Sequence, residues 1–153
     1  MIYVGIDPGK SGAYAAVAYN REGGRTAWAR PWNDEDFLAD MDVYARSDEP
    51  VFVTLERVSA MPKQGVKSMF TFGTEYGFIQ GVLRALELPF ETVPPGIWKK
   101  AYALGKDKRA SIEACKRLFP DVGLLRTDRC KVEHDGMAEA LLLADYGSKM
   151  RRR

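Results

Sequence analysis

The chain has 153 residues, of which 46% are apolar and 29% charged, an ordinary composition for a globular protein. We expect residues 1–150 to form a single domain that buries about 68–70% of its unfolded surface, followed by a basic tail at 151–153. No apolar run reaches the ~18 residues of a membrane helix. Cys115, Cys130 and the single His134 do not form a zinc-binding set, so a reduced, cytoplasmic protein is predicted.

The net charge of +2 hides two segments of opposite sign. Residues 31–50 include seven acidic and one basic residue, a net charge of −6, whereas residues 96–131 include ten basic and four acidic residues, a net charge of +6. The chain then ends in Lys149, Arg151, Arg152 and Arg153. One interpretation of this asymmetry is a basic face that binds a polyanion. The alternative is that the charges lie on solvated helix faces, which would give the same numbers of acidic and basic residues.

The first third of the chain predicts three short strands and a helix. Strands are expected at residues 1–7, 13–19 and 25–30, separated by the DPGKSG turn and by a hairpin at Gly23-Gly24. Short connections of this kind imply antiparallel pairing. The helix Asp34–Ala45 follows, with Asn33 as its N-cap.

The remainder of the chain alternates strands with helices. We predict a buried strand at Val51–Glu56, a loop at 59–67, a long helix within 68–88, a short strand at 89–93, and helices at 110–119 and 135–150. A helix between two strands implies a parallel crossover. The sequence therefore predicts an α/β domain with a mixed sheet.

Four acidic residues occupy positions where a carboxylate is costly unless something binds it. Asp7 and Glu56 each end a predicted strand, and Asp135 and Glu139 share one face of the last helix. Each has another explanation. Asp7 also suits a turn before Pro-Gly, Glu56 is able to pair with Arg57, Asp135 is favourable near a helix N-terminus, and Glu139 is compatible with a solvated surface.

As a set, the four acids predict an all-oxygen metal site. Hard oxygen ligands favour Mg²⁺ or Mn²⁺ over zinc. Two such ions about 4 Å apart activate a water and stabilise a leaving oxygen in phosphodiester hydrolysis. His134, which precedes Asp135, either orients the water or phosphate or simply caps the helix.

The acids lie in segments that resemble those of a known family. IDPGKSGAYAAV, VTLERV and HDGMAEALLLADYG resemble the two acidic strands and the closing acidic helix of the RuvC-type Holliday junction resolvases, in the ribonuclease H-like superfamily. PPGIWKKAYALGKDKRASIEACKRLF is similar to the basic segment of that family.

The resemblance implies a five-stranded mixed sheet flanked by helices, a homodimer, and metal-dependent paired nicks in a four-way DNA junction. It also implies that Asp7, Glu56, Asp135 and Glu139 hold two Mg²⁺ or Mn²⁺ ions. The spacing of four between Asp135 and Glu139 departs from the three-residue spacing of bacterial members. It is more similar to the phage and mitochondrial branches, which suggests a bacterial or phage-infected cell.

Basic and aromatic residues near these segments are candidates for DNA contacts. In the resemblance, Lys99 or Lys100, and Lys108, lie where family lysines meet phosphates. The full set of predicted phosphate contacts is Lys63, Lys67, Lys99, Lys100, Lys106, Lys108 and Arg109. Met61 or Phe70 is hypothesised to be an apolar wedge between bases. Trp98 and Tyr102 either join this aromatic and basic surface or, for Trp98, pack in the core.

Gly73, Gly77 and Gly81 recur every four residues in the long predicted helix. Because each costs about 1 kcal/mol relative to alanine in a helix interior, we expect another backbone to approach this face closely. The approaching element is either the sheet of the same chain or a helix of a second copy.

Other functions remain compatible with the sequence. A nuclease of the same fold with broader selectivity acts on flaps, forks or single strands, and a non-catalytic module of this fold only binds DNA. An actin-like nucleotide-binding fragment is a third alternative, since D-P-G-x-S-G resembles a phosphate loop. Such ATPases need two domains and a second phosphate loop, and neither is found in 153 residues.

Overall fold

The structure is a computed structural model that describes residues 1–9, 11–20, 22–59, 65–105 and 107–152. Its strands and helices, in chain order, are β1 Ile2–Asp7, β2 Ala13–Tyr19, β3 Arg25–Pro31, α1 Asp34–Ala45, β4 Val51–Glu56, α2 Val66–Ala85, β5 Phe90–Val93, α3 Pro95–Ala101, α4 Lys108–Leu118 and α5 Asp135–Arg151. None of the helices in these ranges is long and apolar enough to cross a membrane.

The five strands form one mixed sheet in the order β3-β2-β1-β4-β5. β1 pairs with β2 and β2 with β3 in antiparallel fashion, while β4 lies parallel to both β1 and β5. The predicted α/β fold with a five-stranded mixed sheet is confirmed. Ile6 of β1 pairs with Leu55 of β4. The next residue of each strand, Asp7 and Glu56, therefore emerges at the same edge of the sheet.

Two helical layers cover the sheet. On one face, α1 and α2 pack through Phe37, Met41, Ile79 and Leu83. On the other face, α5 is buried along most of its length, with twelve buried residues from Gly136 to Ser148, and α4 packs beside it. A helix that is apolar all round belongs in the interior, which explains why α5 lies against the centre of the sheet.

Two glycines let α5 lie unusually close to β1 and β4. A Cβ added to Gly5 would overlap the backbone of Ala140 and Ala144, and one added to Gly147 would overlap the hydroxyl of Thr54. Interiors are close-packed, so such positions tolerate no larger side chain without movement of the backbone. The close contact fixes the N-terminus of α5 beside the sheet edge where Asp7 and Glu56 emerge.

The structure differs from the sequence-based boundaries in three places. α2 begins two residues before the predicted segment 68–88 and ends at Ala85, because Leu86 caps it and Glu87 takes a left-handed φ of 54°. α4 begins at Lys108 rather than residue 110, with Asp107 as its N-cap. The helix α3 was not predicted, since Pro94-Pro95 indicates a loop. Pro95 in fact occupies the first turn, where a missing N–H costs nothing.

The three glycines of α2 do not pack on the sheet. A Cβ at Gly73, Gly77 or Gly81 would meet no described atom within 4 Å, and all three positions are exposed. The helix contacts the core through Ile79 and Leu83, on its opposite side. The expectation of a close approach within the chain is therefore wrong, because the glycines share a helical face with solvent-exposed residues and not with the core residues.

Candidate active site

A cleft of about 1130 Å³ opens where β1 ends and α5 begins. Asp7, Asp135, Glu139 and Lys99 line it together. The rest of its wall comes from the turn after β1 (Pro8, Gly9, Ser11, Gly12), the start of α2 (Gly65, Lys67, Ser68, Thr71, Phe72, Glu75) and the loop before α4 (Gly105, Asp107). Three of the four predicted acids therefore share a single wall of one cleft.

The first turn of α5 is held against the Asp7 carboxylate. A Cβ on Gly136 would lie 3.1 Å from Asp7 Oδ2 and 2.7 Å from the carbonyl oxygen of Ser11. Only a glycine leaves room for both atoms. Because Gly136 directly follows Asp135, this contact brings the acidic start of α5 next to the acidic end of β1.

The four acids also interact electrostatically. The pKa of the Asp7 carboxyl lies well above its ordinary value, first because the group is buried and then because Glu56, Glu139 and Asp135 repel its charge. Among the described residues that affect this carboxyl, the Lys99 ammonium acts in the opposite direction. Like charges raise the pKa of a carboxyl when they lie close together. The structure thus brings together the four acids that the sequence singled out.

Glu56 lies behind the cleft wall and is only 9% exposed. Its Oε1 accepts a hydrogen bond of 2.9 Å from the indole Nε1 of Trp98. Burial raises the pKa of Glu56, this hydrogen bond lowers it, and the charge of Glu139 raises it again. The partner of the buried Glu56 is therefore Trp98, whereas neighbouring Arg57 is exposed.

Glu139 is bound by two donors rather than solvated. Lys99 Nζ lies 2.9 Å from Glu139 Oε1 in an ion pair, and the Ser111 hydroxyl donates to the same oxygen at 3.0 Å. The side chain of Glu139 is only 12% exposed. Lys99, predicted as a phosphate contact, thus lies among the acids, with its ammonium 5.2 Å from the Trp98 ring centroid.

His134 caps α5. Its Nδ1 accepts a hydrogen bond of 3.1 Å from the Met137 N–H, and the side chain is buried. The capping alternative is therefore confirmed. An acceptor Nδ1 carries no proton, so the imidazole is held in the tautomer with its proton on Nε2.

Of the two aromatic candidates on α3 and its C-cap, Trp98 lies in the interior and Tyr102 is partly buried. Trp98 is 0% exposed, which confirms core packing. The Tyr102 hydroxyl donates to Asp145 Oδ2 at 2.6 Å, so this ring joins α3 to α5 instead of facing solvent. By contrast, Phe70 on α2 is 76% exposed.

The predicted basic contacts that the structure describes differ in their relation to the cleft. Lys67 is exposed and lines the cleft, while Lys100 and Arg109 are exposed on α3 and α4. Lys63, Lys106 and Met61 lie outside the described residues, as does the side chain of Lys108.

Sequence reasoning missed Ser111 and the hydrogen-bonding role of Trp98. A serine inside a basic, amphipathic helix carries no distinguishing signal. Trp98 was visible as an aromatic beside two lysines, yet its bond to Glu56 spans 42 positions in the chain. Such a contact follows from the tertiary structure alone.

The four acids are the side chains that would hold a divalent metal. Among the described residues, no group of three or more His, Cys, Asp or Glu side chains is close enough to hold a metal ion in the present arrangement. Protein donors engage Glu56 and Glu139 instead. The donor chemistry nevertheless fits a hard cation, because the four acids supply only oxygen ligands and their mutual repulsion, expressed in the raised pKa of Asp7, is what a cation relieves.

Similarity to other proteins is confined to structure. No protein-family model matches the chain, and no curated protein sequence matches it. RuvC of Thermus thermophilus in complex with a Holliday junction substrate is similar with a TM-score of 0.60 and 14% identity, covering 98% of this chain and 96% of that one. Another structure of Thermus thermophilus RuvC is similar with a TM-score of 0.58 and 14% identity, covering 99% of this chain and 97% of that one.

A eukaryotic structure has the same architecture. The yeast mitochondrial Holliday junction resolvase Ydc2 is similar with a TM-score of 0.59 and 13% identity, covering 97% of this chain and 80% of that one. The chain therefore has the ribonuclease H-like fold of the RuvC-type Holliday junction resolvases, over nearly its whole length.

Proposed function

We propose that this chain is a metal-dependent, structure-selective DNA endonuclease that resolves four-way junctions by paired nicks, with residues 1–150 as its nuclease domain. One observation carries the proposal. Asp7, Glu56, Asp135 and Glu139 come from two strand ends and one helix and converge beside one cleft, in a fold shared with junction resolvases. A fold alone does not specify a function, so the acids are the decisive part.

The four carboxylates would hold two Mg²⁺ or Mn²⁺ ions. When bound, such ions supply an activated water and stabilise the leaving oxygen of a phosphodiester. Asp7 interacts electrostatically with all three other acids and with Lys99. Glu56 and Glu139 are each held at Oε1 by a protein donor. A carboxylate has two oxygens and several lone pairs, so these bonds leave acceptor capacity for a cation.

The residues around the cleft would bind the sugar-phosphate backbone. Lys67 lines the cleft, and Lys100 and Arg109 are exposed on α3 and α4. Phosphate contacts by such residues give salt-dependent affinity without sequence specificity. A second candidate function is a nuclease of the same site that also cuts forks and flaps. Phe70 is exposed beside the cleft and is our candidate for an apolar wedge at the junction.

We also propose that the protein acts as a homodimer. Val66, Gly73, Gly77 and Gly81 lie at helical spacing along the exposed side of α2. An exposed apolar side chain beside a glycine row permits close packing of a second helix. A two-fold symmetric dimer would present two active sites to the two strands of a junction.

The proposal is tested with Asp7→Asn. We expect the variant to lose Mg²⁺-dependent cleavage of a synthetic four-way junction while it binds that junction as the wild type does. The matched control is Asp48→Asn, which removes an exposed carboxylate outside the cleft. A Y-fork, a duplex and a chelator serve as parallel substrates and conditions. Full cleavage by Asp7→Asn would refute the assigned site, and equal cutting of fork and junction by the wild type would favour the broader nuclease.

A further inference from the structure

The indole of Trp98 contacts a candidate metal ligand directly. Trp98 is fully buried, and its Nε1 donates to Glu56 Oε1 at 2.9 Å. The bond joins α3 to the end of β4. An indole N–H only donates hydrogen bonds, so the Glu56 carboxylate must be the acceptor.

Core packing alone does not account for a tryptophan here. A phenylalanine would supply an apolar ring of similar kind without a polar atom to satisfy. A buried indole N–H needs a partner, and in this chain the partner is a carboxylate of the acid cluster. The hydrogen bond to a charged group is also stronger than one between neutral groups.

The short helix that carries Trp98 is itself fixed at two further points. Lys99 pairs with Glu139 at 2.9 Å, and the Tyr102 hydroxyl donates to Asp145 at 2.6 Å. Both acceptors belong to α5. The indole therefore reaches Glu56 from a helix that is anchored to the same element that carries Asp135 and Glu139, so its position relative to the other acids is set by the fold.

We propose that Trp98 is a positioning residue of the metal site: its indole N–H holds the Glu56 carboxylate near Asp7, where these acids would hold a divalent cation. This inference rests on the proposed function and goes beyond it in assigning a role to a residue outside the acid set. Partners that orient metal ligands in this way typically affect metal affinity about 10- to 100-fold.

The test compares Trp98→Phe with the wild type and with Trp32→Phe. Trp32 also donates its indole N–H to a carboxylate, Asp34 Oδ1 at 2.8 Å, but on the exposed start of α1. Binding of Mn²⁺ to the DNA-free protein is measured by calorimetry, and junction binding is measured in chelator. We expect Trp98→Phe to bind Mn²⁺ about 10-fold or more weakly, with junction binding unchanged and cleavage partly restored at high Mn²⁺. Trp32→Phe should match the wild type in all three measurements.

A second variant separates orientation from packing. Trp98→β-(3-benzothienyl)alanine, introduced as an unnatural amino acid, keeps the bicyclic shape and replaces the N–H with sulphur. It should fold with the melting temperature of the wild type and still show the weakened Mn²⁺ binding. Wild-type Mn²⁺ affinity in this folded variant would overturn the inference while leaving the proposed function intact. A wild-type protein that neither binds Mn²⁺ nor cuts DNA would overturn both.

Discussion

Replacement of Lys99 with methionine should tighten metal binding and weaken cleavage at the same time. The Lys99 ammonium lies 2.9 Å from Glu139 Oε1 and opposes the repulsion of the other acids at Asp7. It therefore supplies the positive charge of the cluster in the metal-free protein. A divalent cation bound to Glu139 would have to displace it. Methionine keeps an unbranched stem of similar length beside the Trp98 ring while it removes the charge.

The expected gain in metal affinity is set by the strength of the ion pair between Lys99 and Glu139, which a cation would have to break. A hydrogen bond to a charged group contributes about 1.5–3 kcal/mol, and exposed pairs contribute up to about 1 kcal/mol. The side chain of Lys99 is 31% exposed and that of Glu139 12% exposed, so a net value of about 1 kcal/mol is reasonable. This corresponds to roughly fivefold in metal affinity. Loss of the ammonium also leaves Asp7 without its one favourable charge, which adds to the gain on metal binding.

Calorimetric titration of Mn²⁺ into the DNA-free protein measures this gain directly. Cleavage of a labelled junction in Mg²⁺ measures the second effect. Fluorescence anisotropy in a metal that does not support cleavage measures its expected cause, a loss of junction affinity, since the displaced ammonium would otherwise be available to a phosphate. Lys100→Met is the matched control: this exposed neighbour should alter junction affinity and leave metal affinity unchanged. Unchanged or weaker Mn²⁺ binding by Lys99→Met would show that the ammonium does not compete with the cation.

Two further predictions concern pH and assembly. Burial and the neighbouring acids raise the pKa of Asp7 in the folded protein. The folded protein therefore binds this proton more tightly than the unfolded chain does. In chelator, the free energy of unfolding should fall as the pH rises from the unfolded pKa of 3.8 through the raised folded-state pKa. Asp7→Asn should reduce this fall and raise the melting temperature at pH 7, and an identical pH profile would contradict the assignment. Gly77→Glu on the exposed face of α2 should convert a dimer to a monomer in light scattering, whereas Gly123→Glu, in an exposed loop, should not; a monomeric wild type would refute the dimer.

The sheet and its two acidic strand ends could be predicted because they depend on local pattern. Alternating short strands, tight turns and one crossover helix define a mixed sheet with β1 beside β4. Once those strands are parallel neighbours, Asp7 and Glu56 must emerge at one edge. The spacing of Asp135 and Glu139 likewise places both on one helical face, and the apolar remainder of α5 explains why it is buried.

The bonds that hold the acids could not be predicted in this way. Trp98 and Glu56 are separated by 42 positions, Lys99 and Glu139 by 40, and Ser111 and Glu139 by 28. Each depends on how α3 and α4 dock against the sheet and α5, which no local pattern records. The resemblance predicts Lys99 or Lys100 as a phosphate contact, which stays a prediction. The structure adds that the Lys99 ammonium binds a carboxylate of its own chain, that of Glu139.

The glycine row of α2 is a different case. Its four-residue period is plain in the sequence, but the period alone does not say whether the glycines face the sheet of the same chain or lie on the outer side of the helix. Ile79 and Leu83 are two positions out of phase with Gly77 and Gly81, which puts them on the opposite side of the helix. The apolar side faces the sheet, so the glycines had to face away from it. If another backbone approaches these glycines closely, it must therefore belong to a partner outside the described part of this chain.

The distribution of partners among the acids explains how four carboxylates lie near one another in this fold. Glu56 accepts from Trp98, and Glu139 accepts from Lys99 and Ser111. These donors compensate part of the cost of burying charge. At Asp7, burial and three neighbouring carboxylates all raise the pKa, and among the described residues Lys99 opposes them. If the proposed cation binds, the free energy that it recovers would therefore be concentrated at Asp7, where the end of β1 meets the start of α5. Glu56 and Glu139 are satisfied by protein donors, whereas the repulsion at Asp7 remains for a cation to relieve.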